Sequence, residues 1–169
     1  LIRRGNRVHK ITAWRGVDTM QTAAHVAAEA NEWRPDTIFI DGAGVGGGVV
    51  DRMRELGYKV VDVNAGSKPI DDRRYVNRRA EMWALMKEWL KTRGSIPNEA
   101  ELVDDILSPL YKFDAQSRIQ LERKEDMKAR GLPSPDYGDA LAMTFAAPVP
   151  MADMSSLAVQ FMPQVQVSR

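Results

Sequence analysis

Residues 37–48 read Thr-Ile-Phe-Ile-Asp-Gly-Ala-Gly-Val-Gly-Gly-Gly, a short apolar run closed by one acid and followed at once by a glycine-rich turn. Thr37 to Asp41 has the length and β-branched content of a buried strand with its charge at the carboxyl end. Beyond the turn Val45, Val49, Met53 and Leu56 recur at helical spacing until Gly57, and Lys59 to Val63 makes another strand. Strand, helix and strand in that order predict a parallel pair joined by a crossover, and hence an α/β sheet.

The flanking segments extend this pattern. Upstream, Asp18 and Gln21 have capping-box spacing and open a helix that presents Met20, Ala23, Ala24, Ala27 and Ala30 on one face and stops at Pro35. Leu1-Ile2 and Val8 to Trp14 flank Gly5-Asn6 as an antiparallel hairpin. Downstream, a long helix over 74–92 buries Tyr75, Met82, Trp83, Met86 and Leu90. Asn98 and Glu101 form a capping box for a short helix carrying Leu102 and Ile106. Tyr111 to Phe113 and Arg118 to Leu121 read as a second hairpin, and a basic helical segment runs from Arg123 to Arg130. Ser134 as N-cap and Pro135 at the first helical position start a last helix through Leu141 to Ala147. Pro148 and Pro150 end it, and 148–169 read as a tail or linker after a domain spanning 1–147.

The chain has 169 residues and a net charge of +1, so length bounds it to one domain and total charge names no partner. It has no cysteine and only two histidines, which excludes disulfide frameworks, thiolate metal sites and cysteine catalysis. No apolar run approaches a membrane span, and Leu1-Ile-Arg-Arg4 lacks the apolar stretch of a signal peptide. The first residue is not Met, so a piece of a longer chain is expected.

Gly42, Gly44 and Gly47 satisfy the G-x-G-x-x-G spacing, and Asp62 lies where a dinucleotide-binding fold places the acid that holds a ribose. Two features weigh against that reading. The loop follows a hairpin and a helix rather than a first strand, and Asp41 would set a negative charge beside the pyrophosphate. The alternative is a tight turn that needs glycine for close packing. A Walker A loop is absent, since Gly66-Ser67-Lys68 has the wrong spacing and precedes Pro69.

A carboxylate at the end of a buried strand is costly unless a positive charge meets it, and a divalent cation is one solution for Asp41. Asp136 and Asp139 project from one side of the last helix. Magnesium and manganese prefer oxygen ligands, and phosphodiester cleavage by two ions about 3.5 to 4 Å apart uses carboxylates from separate elements. Asp136 alone is equally accounted for by the helix dipole. Arg73, Arg74, Arg78 and Arg79 cluster in one segment, and Lys124, Lys128 and Arg130 crowd another just before Asp136. Such local basic surfaces hold phosphate backbones, although a charge run is more often a solvated helix face. Asp71-Asp72, Asp104-Asp105 and Glu125-Asp126 read as turn, cap and surface charges, and His9 as structural.

From Leu1 to Ala147 the chain resembles the nuclease domain of the large terminase subunit of tailed bacteriophages, a ribonuclease H-like endonuclease that cuts DNA during genome packaging. The resemblance rests on four blocks in order: Ile38 to Gly47, Val63 to Lys68, Tyr75 to Trp83, and Lys124 to Gly131 leading into Ser134 to Leu141. It implies a mixed sheet flanked by helices, Asp41 and Asp139 as catalytic acids, Asp136 as a helper or second ligand, and two Mg²⁺ or Mn²⁺ ions. It also implies double-stranded DNA as substrate, positioned by the basic residues named above. The partners implied are a packaging ATPase domain in the same polypeptide, the portal ring and the small terminase subunit, with the host cytoplasm as location. In this family the first acid lies on a central first strand. Here Leu1 to Arg4 matches the end of the second strand, so a gap in the sheet beside Asp41 and weak or no activity of this fragment are expected. Two rivals remain: a dinucleotide-binding oxidoreductase using the Gly42–Gly47 loop, and a non-catalytic DNA-binding packaging module.

Overall fold

The computed structural model describes residues 1–149. Helix α1 (Thr19–Trp33) carries the expected capping box: the Asp18 side chain accepts from the Gln21 amide and the Gln21 side chain accepts from the Asp18 amide. It ends where Arg34 turns left-handed ahead of Pro35. Its inner face is Ala23, Val26, Ala27 and Ala30, and Met20 and Ala24 lie exposed. Strands β1 (Ile2–Arg4) and β2 (Arg7–Lys10) form the antiparallel hairpin before it, with a shorter second strand than the apolar pattern suggests.

Strands β3 (Ile38–Asp41) and β4 (Val60–Val63) pair in parallel, connected by α2 (Gly46–Glu55). Val49, Val50 and Met53 of α2 are buried. Val45 precedes the helix and, with Leu56 just past its end, lies outside that buried face. The glycines of the turn have packing reasons. A Cβ at Gly46 would collide with the Asp41 carbonyl, one at Gly42 would collide with the Asp62 carboxylate, and Gly44 has φ of 63°.

Helix α3 (Arg78–Thr92) starts four residues later than its apolar pattern, because Asn77 caps it by accepting from the Ala80 amide at 2.9 Å. Residues 71–76 instead form a loop in which Tyr75 bridges to Ile119. Helix α4 (Ala100–Leu107) has Glu99 at its N-cap with no side-chain bond, so the expected Asn98–Glu101 box does not form. Strands β5 (Tyr111–Phe113) and β6 (Ile119–Leu121) form the second hairpin, and α5 (Lys124–Ala129) and α6 (Asp136–Met143) complete the described elements. The expected tail lies, beyond Val149, outside the described residues.

The core lies between β3–β4 and the α3/α6 pair, around Val63, Met82, Trp83, Met86, Leu141 and Ala142. The strands form three separate two-stranded ladders. Among the described residues strand β3 bonds only to β4 and β1 only to β2, and a groove of about 590 Å³ runs between β1 and β3. Residues of α1 and α6 also line it. This is the expected gap, and it explains why Ile38, Phe39 and Ile40 are only half-buried.

One buried ion pair ties the loop before α3 to the end of the described chain. Glu81 accepts from Arg78 and from the amides of Ile70 and Asp71, at 2.8 and 3.0 Å, and Arg78 also donates to the Ala146 carbonyl. Burial raises the Glu81 carboxyl's pKa, but the two amides and Arg78 outweigh it and hold it below the usual range. A depressed carboxylate stabilises the fold above its unfolded pKa and ceases to as pH falls through the folded one. Glu81→Gln should cost about 3 kcal/mol at pH 7 by urea unfolding. That cost should shrink below about pH 4.3, where the wild type itself is losing the contribution.

Candidate active site

Helix α6 begins without a side-chain cap of its own, although Ser134 has the sequence of one. Asp105 of α4 supplies the cap instead. Its Oδ2 accepts from the amides of Tyr137 at 2.7 Å and Gly138 at 3.2 Å. Burial raises the Asp105 pKa against the lowering effect of those amides, and the charges of Asp136 and Asp139 raise it further. Residue 138 must be small, since a Cβ there would lie 2.8 Å from the Trp83 ring. Trp83 can therefore reach the next residue.

Asp139 is the most heavily engaged of the expected acids. Its Oδ1 accepts from Trp83 Nε1 at 2.8 Å and from Arg79 Nε at 3.0 Å, and its Oδ2 faces Lys124 Nζ at 2.9 Å. Arg79 and Trp83 sit four apart on α3 and so share a face. Arg79 Nη1 donates to the Glu122 carbonyl at 2.8 Å, and its buried Nη2 has no hydrogen-bond partner among the described residues. Arg130 grips the Glu122 carboxylate at 2.7 and 2.6 Å, which draws that carboxyl's pKa down.

Asp41 stands exposed at the carboxyl end of β3, and its Oδ1 accepts from the Ala43 amide at 3.1 Å. Phe39, Val61 and Val63 pack with Trp83 and Leu141, whereas Ile38, Ile40 and Val60 pack with α1 and α2. Alternation along the strand puts Asp41 with Phe39, on the α3/α6 side. Ala140, the neighbour of Asp139, lines the same groove as Phe39 and Ile40. The two acids thus belong to adjoining elements on one face. Asp136 is largely exposed, 3.8 Å from Lys124 Nζ. Among the described residues no three acids or histidines are gathered closely enough to form a ready metal cage. The donors present are nevertheless hard carboxylate oxygens, and Lys124 already sets a positive charge on Asp139 Oδ2. Asp41 and Asp139 suit a divalent cation in chemistry, with further ligands required.

The basic residues divide. Arg73, Arg74 and Lys128 are exposed, and Lys124 leans over the acids. Arg78 does not reach the surface, because its guanidinium is spent on Glu81 and Ala146. Arg79 points inward to Asp139, and Arg130 is clamped to Glu122 and the Ser108 carbonyl. Asp62, the acid of the dinucleotide reading, fills the space beside Gly42. Asp104-Asp105 read as cap charges in the sequence, and Asp105 does cap, but the helix it caps is α6, which no local spacing could identify. Trp83 carried only the signal of a core aromatic.

Neither a family model nor a curated protein matches the chain. Among solved structures, the nuclease domain of the large terminase subunit gp2 of bacterial virus Sf6 is similar over 86% of this chain and 80% of its own, at a TM-score of 0.73 and 23% identity. This chain has the fold of that nuclease domain. A mutant form of that domain with manganese and beta-thujaplicinol gives a TM-score of 0.74 at 22% identity over 86% and 80% of the two chains. Another mutant form, with calcium, gives 0.73 at 22% over the same shares. The expected mixed sheet flanked by helices is thereby borne out as a fold, and among the described residues the sheet is open beside β3.

Asp105→Ala should destabilise this fold by about 1 to 3 kcal/mol, because the Tyr137 and Gly138 amides lose their acceptor. Asp105→Asn keeps an acceptor and should stay within about 1 kcal/mol of wild type. The raised Asp105 pKa favours the fold at low pH and ceases to as pH rises through its folded value. The balance should therefore shift toward Asp105→Asn from acid to neutral pH in thermal melts.

Proposed function

We propose that this chain is the nuclease part of a phage large terminase subunit, an endonuclease that hydrolyses DNA phosphodiester bonds with two Mg²⁺ or Mn²⁺ ions. The observation that carries this reading is Asp139 of α6, oriented by Arg79 and Trp83 of α3, with Asp41 on the face of β3 that packs toward α3 and α6. Asp41 and Asp139 would hold the cations, with Asp136 as an outer ligand. When bound, the ions would supply an activated water and a counter-charge for the leaving 3′ oxygen. Lys124 stands where it meets a phosphate oxygen arriving at the acids. Arg73, Arg74 and Lys128 offer exposed charge to the duplex backbone, giving salt-sensitive binding with little base readout.

The missing component of the proposed site is a third acid, and the groove between β1 and β3 is its proposed seat. Two strand edges flank it, and its wall carries the buried Glu29 Oε2 and Trp33 Nε1, neither with a hydrogen-bond partner among the described residues. An extended segment offers amides and carbonyls to all four. We assign that segment to residues upstream of Leu1, carrying the acid alongside Asp41. The wider setting follows from the same reading: an ATPase domain in the same polypeptide, the portal and small terminase subunit as partners, and the host cytoplasm as the place of action. The absence of a three-acid cluster among the described residues favours one rival, a DNA-binding module without catalysis.

Plasmid cleavage separates these readings. With Mn²⁺, a polypeptide extended upstream through the extra strand should nick supercoiled DNA, the 169-residue chain should be at least about tenfold slower, and Asp139→Asn in the longer form should be inactive. Equal cleavage by the Asp139→Asn protein would remove Asp139 from the mechanism. Salt-sensitive DNA binding without cleavage by the longer form would establish the rival. Robust cleavage by the 169-residue chain, lost on Asp41→Asn, would overturn the need for the added strand.

A further inference from the structure

We infer that Arg79 and Trp83 are positioning residues that commit Asp139 to a divalent cation through Oδ2 alone; the inference rests on the proposed metal-dependent nuclease. A carboxylate oxygen has two lone-pair sites. On Oδ1 both are taken, by Trp83 Nε1 at 2.8 Å and Arg79 Nε at 3.0 Å. On Oδ2 the sole described partner is the Lys124 ammonium at 2.9 Å, at the tip of a flexible side chain that is 40% exposed. The two oxygens are thus unequally free. Oδ1 is locked by rigid donors, and Oδ2 exchanges one mobile cation for another.

The rigidity has a visible origin. Trp83 is 6% exposed and packs directly under Gly138, so its indole N–H has one direction to point. Arg79 is fixed at its other end by the Glu122 carbonyl, and the Glu122 carboxylate is gripped in turn by Nε and Nη2 of Arg130. A chain of contacts therefore runs from Arg130 on the surface through Glu122 and Arg79 to Asp139. Bidentate chelation by Asp139 would need Oδ1 to give up a buried donor, leaving a second orphan beside Arg79 Nη2. One-oxygen ligation leaves room on the ion for water and for other acids, which two-ion chemistry requires. Neither Trp83 nor Arg79 touches the cation or the substrate in this arrangement.

The test is Mn²⁺ affinity, read from free-ion electron paramagnetic resonance at a temperature where every variant is folded, beside the thermal midpoint of each. Trp83→Phe keeps a ring over Gly138 but loses the N–H, and Arg79→Lys keeps the charge but loses the two-armed geometry. Each should weaken Mn²⁺ binding about tenfold, as lost partners of metal ligands do, and Asp139→Asn should abolish binding at this site. A purely structural role would lower the thermal midpoint and leave affinity untouched. If both variants bind Mn²⁺ like the wild type while Asp139→Asn does not, the positioning role is overturned and the metal site stands. If Asp139→Asn also binds like the wild type, the metal site falls and the positioning role with it. Should Trp83→Phe fail to fold, Arg79→Lys decides alone.

Discussion

Trp83 packs closely against α6 because residue 138 has no side chain, and most of the site's geometry follows from that contact. The ring joins the core with Met82, Met86 and Leu141, so α3 and α6 are packed together by the same residue whose N–H reaches Asp139. Asp105 then locks α6 from the other side by bonding the amides of Tyr137 and Gly138. Packing and polar contacts here act on one turn of helix. Any side chain at 138 would displace the ring, the cap or both, and Asp139 would move with them.

Charge around that turn is balanced locally rather than across the molecule. Asp139 is mostly buried and lies between Arg79 and Lys124, two positive charges against its one. Asp105 and Asp136 lie close by and add negative charge, and burial, with the charges of Asp136 and Asp139, pushes the Asp105 carboxyl upward. Ligation of a divalent ion by Asp139, as proposed, would need Lys124 to swing aside, a motion that a long, 40% exposed side chain makes at low cost.

Local signals in the sequence identified the elements well where a neighbouring residue carried the mechanism. Asp18 with Gln21 produced the box it spells, Pro35 stopped its helix, and Thr37 to Val63 folded as a parallel strand pair with a crossover helix. Failures came where the partner was distant. Ser134 looked like a cap, but the acceptor came from Asp105 on another helix, and Asn98 with Glu101 satisfied a spacing without making the bond. The arginine cluster read as one surface, yet Arg78 and Arg79 at the start of α3 turn into the protein toward Glu81 and Asp139. Composition records how many charges there are; only tertiary contacts decide which ones meet solvent. The glycine loop shows the same limit, for its spacing fits a phosphate cradle while the collisions at Gly42 and Gly46 are with the chain's own acid and carbonyl.

The open sheet imposes a requirement that no single residue reveals. A parallel pair of four-residue strands leaves two outer edges unpaired among the described residues, and parallel ladders are stable when covered on both faces. Here α1 and α6 cover the faces, but the edge of β3 looks into a groove bounded across the way by β1. Glu29 Oε2 and Trp33 Nε1 are buried without partners among the described residues, and leaving such groups unpaired costs on the order of 1 to 3 kcal/mol each. A loop crossing the groove would satisfy side-chain orphans but not two strand edges at once. An extended segment satisfies both, and alternation places every second side chain on the face that carries Asp41. An acid at the carboxyl end of such a strand would stand beside Asp41 and across from Asp139. The same segment would thus close the sheet and complete the proposed metal site, so folding and catalysis would be gained together.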